Sequence, residues 1–177
     1  MPAHEDLATR VIEFYKRNES HLKPWDPPTP PDFLTKDFQR KRLSQAEVDA
    51  KAGTALRWWL CLRGETNVLV GSIGLNAIAR GPFQNTLLGY SLEGKLQGQG
   101  LMQEALSAVI GHAFSAEINL HRIQANVRPD NLRSLKVLER LGFEREGFAR
   151  DYLFIHDKWH DHIMFALRNE NFKGIPI

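Results

Sequence analysis

The chain has 177 residues, enough for one domain with a full core and too few for two domains of ordinary size. Hydrophobic residues make up 42% and charged residues 25%, which excludes a disordered chain. The 23 basic and 21 acidic side chains leave a net charge of +2, too small an excess to indicate nucleic acid.

The single cysteine, Cys61, excludes an intrachain disulfide and fits a reducing compartment. In the run RWWLCLR it reads as a small apolar strand residue. The opening MPAHEDLATRVIEFYKRNES is charged throughout and lacks the apolar core of a signal peptide. No segment approaches a membrane span, so the expectation is one cytoplasmic domain over residues 1–177.

In chain order, Leu7, Val11, Phe14 and Tyr15 recur at helical spacing and predict an amphipathic first helix. HLKPWDPPTPPD follows, and its five prolines from Pro24 to Pro31 predict an ordered loop carrying one large aromatic, Trp25. KDFQRKRLSQAEVDAKAG predicts a second helix ending near Gly53. Its bases Lys36, Arg40, Lys41 and Arg42 read as a solvated face, with substrate contact as the alternative.

From Ala55 the period changes. TALRWWLCLR, NVLVGSIGLNAIAR and TLLGYSLEG are strand-like runs separated by GETN and GPFQN, the pattern of an antiparallel meander. LMQEALSAVIGHAFSAE predicts a helix with Leu101, Ala105, Val109, Ala113 and Ala116 on one side. HRIQANV predicts a strand, and NLRSLKVLERLGF a helix with Leu132, Leu135, Leu138 and Leu141 inward and Gly142 just past its end. FAR to FALR predicts a hairpin turning at HDKW. The sum is a mixed α/β fold, a largely antiparallel sheet covered by helices with a strand-helix-strand crossover.

Two junctions carry the chemistry. In GKLQGQG, Gly98 and Gly100 precede a helix start, so bare backbone N–H groups at the positive end of a helix dipole form a cup for phosphate; a flexible loop is the plainer alternative. No Lys-Ser or Lys-Thr pair follows, as a P-loop needs, and the glycine spacing is not that of a dinucleotide fingerprint. In VRPDNLRSLKVLERLGFEREG, Asn131 and Ser134 stand three apart at a second strand-to-helix junction, where either can serve as a helix-start residue.

These stretches, with HLKPWDPP, LGYSLEGKLQGQGLMQEAL and HRIQANVRPDNLRSLKVLERLGFEREGFARDYLFIHDKWHDH, closely resemble the GNAT superfamily of acetyl-coenzyme A-dependent N-acetyltransferases, in particular its ribosomal-protein alanine and serine branch. The resemblance implies the GNAT fold and a direct transfer from acetyl-CoA to an N-terminal α-amine, on Ala or Ser of a ribosomal protein. It implies that Gln97, Gly98, Gln99, Gly100, Leu101 and Met102 hold the coenzyme pyrophosphate, that the strand around Leu92 pairs with the pantetheine arm, and that Asn131 and Ser134 lie against the coenzyme. Three departures stand out. Lys95 replaces the usual first residue of the phosphate loop. The leading edge strand of the family is missing, or the start is a shortened one. Leu153 occupies the place of a glutamate found in the serine enzymes.

Acyl transfer needs a neutral amine, and an α-amine near pKa 8 meets that need more easily than a lysine near 10.4. The resemblance puts the Ser134 hydroxyl beside the coenzyme sulfur, as proton donor or thiolate partner, and a backbone N–H near Leu92 would meet the oxyanion. Asp151, beside Tyr152, is the foremost acidic candidate for a base, ahead of Glu93 and Glu104; each also reads as a solvated or loop-fixing residue. Trp25 and Tyr90 are the substrate-side candidates, Trp25 being equally able to pin its loop to the core. The histidine-rich hairpin shows no closed metal spacing, so no metal is expected. The expected partner is a protein or peptide N-terminus, with no direct nucleic acid and no membrane, as monomer or homodimer. The competing readings are an acetyltransferase for a small-molecule amine (polyamine, aminoglycoside or amino acid) and a non-catalytic acyl-CoA-binding module.

Overall fold

Alternation along the strands divides the molecule into two apolar layers, one on each face of a sheet. In β1 (Leu56–Leu60), Leu56, Trp58 and Leu60 pack with one cluster, whereas the fully buried Trp59 packs with the other. The computed structural model describes residues 1–174. Among them are four α-helices and six strands, the rest being α1 (Ala8–Leu22), α2 (Lys36–Ala52), β2 (Gly71–Ala79), β3 (Asn85–Leu92), α3 (Leu101–Ala113), β4 (Arg122–Val127), α4 (Leu132–Arg140), β5 (Glu144–Ile155) and β6 (Lys158–Arg168).

The strands form one open sheet in the order β1-β2-β3-β4-β6-β5. Every neighbouring pair is antiparallel except β3 with β4, which is parallel because α3 crosses over between them. The larger core, with Ile73, Leu75, Leu106, Ile123 and Leu138 fully buried, lies between the sheet and α3 and α4. The smaller core, built on Val11, Phe14, Leu43 and Trp59, lies under α1 and α2. Phe14 meets Trp59 edge-on at 5.7 Å between ring centroids.

The predicted elements are present, with four differences of detail. Residues 1–3 lie along the outer edge of β1, where Pro2 bridges Trp58 and the Ala3 N–H donates to the Arg57 carbonyl at 2.9 Å, so the edge that was read as lacking its leading strand is partly covered. α3 ends at Ala113, and its buried stripe is Met102, Leu106, Val109 and Ala113, rotated from the expected one. Leu132 is 63% exposed because the first turn of α4 stands at the mouth of a cleft and not over the core. Arg42 is half-buried and does not belong to a solvated face. Gly53 and Gly142 both end helices at positive φ, as their positions predicted.

Candidate active site

The β3–β4 pairing runs from Asn85 opposite Arg122 to Leu88 opposite Ala125 and stops, although β3 continues to Leu92 and β4 to Val127. The two strands diverge there, so one edge of Gly89–Leu92 has no strand partner. A cleft of about 500 Å³ opens at this point, between the N-termini of α3 and α4 and the loop that follows α1.

The side of this cleft at the start of α3 is made largely of backbone. Gly98 and Gly100 have φ of 79° and 80°, and a Cβ at either would meet nothing within 4 Å, so the loop lies open to the cleft. Gly100 is the N-cap of α3 and has no side chain to satisfy the first turn, which leaves its donors directed outward at the positive end of the dipole. The loop is tied from behind by α1. The Asn18 side chain accepts from the Gly94 N–H at 3.2 Å, Arg17 bridges Glu93 at 2.9 Å, and His21 contacts Gln97 at 3.0 Å. Glu93 is therefore a fixing residue, and Gln97 also accepts from Arg133. Leu92, Leu101 and Met102 line the cleft; Lys95 and Gln99 are exposed on the loop, outside the lining.

α4 closes the second side. Asn131 is its N-cap and accepts from the Ser134 N–H at 3.2 Å, so its side-chain oxygen performs the helix-start task foreseen for it while the residue lines the cleft. Tyr90 donates to the Ser134 carbonyl at 3.3 Å, which fixes α4 to β3. Burial pushes the Tyr90 phenol up to about 12, so it remains a neutral donor. Both contacts use the Ser134 backbone. Its hydroxyl lies close enough to the Tyr90 phenol to oppose the effect of burial there, and Ser134 lines the cleft. Arg133, Lys136 and Arg140 line the same side, an i, i+3, i+7 row of cations suited to phosphates. That helical spacing was the sequence signal for this row, and the reading from sequence missed it.

The loop after α1 forms the third side. The Trp25 and Asp26 N–H groups both donate to the Leu22 carbonyl, at 2.8 and 3.0 Å, continuing the helix by one turn into the cleft. Arg128 stacks on Trp25 with its guanidinium carbon 4.9 Å from the ring centroid and donates to the Pro24 carbonyl at 2.7 Å. Trp25 thus pins the loop and walls the cleft at once.

Asp26 is half-buried, lines the cleft, and has no hydrogen-bond or ion-pair partner for its carboxylate among the described residues. Burial raises its pKa from 3.8 to about 6, with Arg42 pulling the other way. Asp151, by contrast, lies in an irregular stretch of β5 at φ 45°, exposed and outside the cleft lining, its N–H held by Asp161 at 2.9 Å. The structure brings Ser134, Asn131, Trp25, Tyr90 and the glycine loop together and leaves Asp151 apart. Among the described residues no group of three His, Cys, Asp or Glu side chains could hold a metal ion.

The sequence profile of the Acetyltransferase (GNAT) domain matches residues 1–144. The chain is 38% identical over 164 residues to the ribosomal protein uS5 alanine N-acetyltransferase of Escherichia coli (strain K12), covering 93% of this chain and 84% of that one. It is 35% identical over 137 residues, 77% of this chain and 74% of the other, to the ribosomal-protein-serine acetyltransferase of the same organism. Among solved structures, the ribosomal-protein-S5-alanine acetyltransferase of Vibrio fischeri matches with a TM-score of 0.93 at 34% identity, over 98% of this chain and 94% of that chain. Mycobacterium smegmatis RimJ, solved with CoA-disulfide, matches with a TM-score of 0.89 at 29% identity, over 98% and 83%.

Proposed function

The chain belongs to the GNAT acetyltransferase family and is an acetyl-CoA-dependent N-acetyltransferase, and from that premise we propose that its acceptor is the α-amine of a ribosomal protein that begins with Ala or Ser, modified in the cytoplasm. The observation that carries the reading is the unpartnered Asp26 carboxylate in the cleft that also holds Ser134. A carboxylate with a pKa of about 6 is ionised at neutral pH yet basic enough to receive a proton from an amine near pKa 8. A lysine amine near 10.4 is a far poorer match. Likeness to the two ribosomal-protein acetyltransferases supports the acceptor class.

Acetyl-CoA supplies the activated acyl group; the chain supplies position and proton handling. The open N-terminal turn of α3, with Arg133, Lys136 and Arg140 opposite, offers donors and charge to phosphates. The unpaired edge of Gly89–Leu92 offers backbone groups to an extended amide chain. Asp26 takes the proton that the α-ammonium must lose, and the Ser134 hydroxyl, beside the Tyr90 phenol, donates to the leaving thiolate. A small first side chain is favoured because the amine has to come within about 3 to 3.5 Å of the acyl carbon.

The test is acetylation of matched peptides beginning with Ala, Ser, Leu or Phe, each with one internal lysine, beside polyamines and free amino acids, with the acetyl group located by mass spectrometry. N-terminal labelling, greater on Ala and Ser, is the expected result. Labelling confined to lysine, or turnover of small amines alone, defeats the peptide reading.

A further inference from the structure

Arg42 and Arg57, both half-buried on the α1–α2 face of the sheet, have no carboxylate partner within 4 Å among the described residues, whereas the half-buried Arg122 and Arg128 each have one. Arg42, on α2, lies over the rings of Tyr15 and Phe33, 5.7 and 5.4 Å from their centroids, and makes only long hydrogen bonds, 3.4 Å to the Tyr15 hydroxyl and 3.3 Å to Gln39. Arg57, on β1, donates to Asn76 at 3.2 Å. Both line one cavity of about 260 Å³ beside the sheet. Asp49 lines it too, but its carboxylate accepts from Gln45 at 2.9 Å and pairs with neither arginine. Burial and the charge of Arg42 both pull the Arg57 pKa below its ordinary value, and Tyr15 opposes them. Two like charges drawn partly out of water, neither of them ion-paired to a carboxylate, are costly, and such an arrangement favours an anion supplied from elsewhere.

This cavity and the cleft have no lining residue in common, but they are electrostatic neighbours: Arg42, which lines the cavity, lowers the pKa of Asp26, which lines the cleft. The floor between them is glycine. Gly74 and Gly89 are register partners on β2 and β3. A Cβ at Gly74 would come 3.1 Å from the Arg57 guanidinium, and Gly89, next to Tyr90 at the cleft, is exposed. An extended peptide advances about 3.3 to 3.6 Å per residue, so a chain entering along this floor carries its first few side chains past Arg42 and Arg57.

We propose that the Arg42–Arg57 cavity receives the side-chain carboxylate of an Asp or Glu a few positions in from the acceptor's N-terminus. This rests on the N-terminal peptide reading above and sharpens it: the α-ammonium docks at Asp26 and the acidic side chain at the arginine pair. The acceptor is then recognised by an opposed pair of charges at fixed separation, together with a small first residue.

The experiment uses the whole protein, acetyl-CoA and Ala-first peptides in which a single Glu, or the isosteric Gln, is placed in turn at positions two to five. About a tenfold higher kcat/KM for Glu than for Gln is expected at one position. That ratio collapses toward one in Arg42→Gln, and also in Arg57→Gln if thermal melting shows that variant folded. Using the Glu-to-Gln ratio removes any effect of Arg42→Gln that works through Asp26. Equal turnover of Glu and Gln peptides at every position, or a ratio untouched in Arg42→Gln, overturns the inference while leaving N-terminal acetylation standing. Failure of every peptide N-terminus beside active polyamines overturns both.

Discussion

The two halves of the cleft are built from different materials. At the start of α3, Gln97, Gly98, Gly100, Leu101 and Met102 line the cleft beside the unpaired edge of Gly89–Leu92, and their loop is held from behind by Asn18, Arg17 and His21. On the proposed acceptor side, every distinctive group is a side chain brought from a separate element. Asp26 comes from the loop after α1, and in the neighbouring cavity Arg42 comes from α2, Arg57 from β1 and Asn76 from β2. A backbone site is fixed once its strand and helix form, and it serves a cosubstrate that never changes. A side-chain site can be re-cut by substitutions that leave the sheet intact, which suits the partner that differs between enzymes of one fold.

The sharpest way to break this contrast is at the loop. Gly98→Asp places a carboxylate where donors face a phosphate and forces an L-residue to φ near 79°. No atom lies within 4 Å of the new Cβ, so the fold pays only local strain of about 1 kcal/mol. Affinity for coenzyme A, measured by calorimetric titration, is expected to fall at least about a hundredfold with the melting temperature nearly unchanged. Unchanged affinity in the folded variant would remove the phosphate assignment and, with it, the backbone half of the comparison.

On the acceptor side the decisive change is Asp26→Asn, which keeps the shape and removes the charge. General-base catalysis of this kind is worth about 10² to 10⁴, so kcat/KM near neutral pH is expected to drop by at least about a hundredfold. The deficit should shrink as pH rises toward 9, where the α-amine loses its proton without help. The wild-type rate should itself rise as pH passes about 6, the pKa of Asp26.

Stability must move the other way. A carboxyl whose pKa is raised on folding is favoured when protonated, so its contribution is fully present below the unfolded pKa of 3.8 and is lost as pH rises through about 6. The asparagine escapes that loss, which amounts to about 3 kcal/mol at most, and the variant is expected to melt at or above the wild-type temperature at pH 7.5. A lower melting temperature with the pH profile unchanged would make Asp26 a structural residue.

The same contrast governs what could be read without coordinates. The helix-start half of the cleft was legible because its parts are contiguous: Gly98, Gly100, Asn131 and Ser134 stand at junctions where a strand-like run meets a helical one. Gly53 and Gly142 marked helix ends for the same local reason. The acceptor half was not. Asp26 sits among prolines, where an aspartate reads as a turn residue, and its burial arises only when α1 brings it over the diverging strands. Arg42 follows Arg40 and Lys41, and a run of bases reads as a wet face until Tyr15 and Phe33 are found under one member of it. Asp151 was favoured for standing beside Tyr152, but the backbone of β5 turns it outward. Local pattern finds main-chain sites; side-chain constellations need tertiary distance.

Ser134 joins the two halves and gives the smallest expected effect. Its backbone is structural, accepting from Tyr90 and donating to Asn131, and neither contact uses the hydroxyl. Ser134→Ala therefore keeps the cap, and alanine is the better helix former, so the melting temperature should not fall. If the hydroxyl assists the departing thiolate, its contact strengthens only as charge develops on sulfur. Turnover should then fall about tenfold while coenzyme affinity changes less than about twofold. Asn131→Ala is the complementary change: it removes the cap and costs about 1 kcal/mol of stability while leaving the Ser134 hydroxyl in place. Turnover unchanged in Ser134→Ala, with chemistry shown to limit the rate, would return the residue to a purely local role at the start of α4. Proton delivery to the thiolate would then fall to water or the incoming amine.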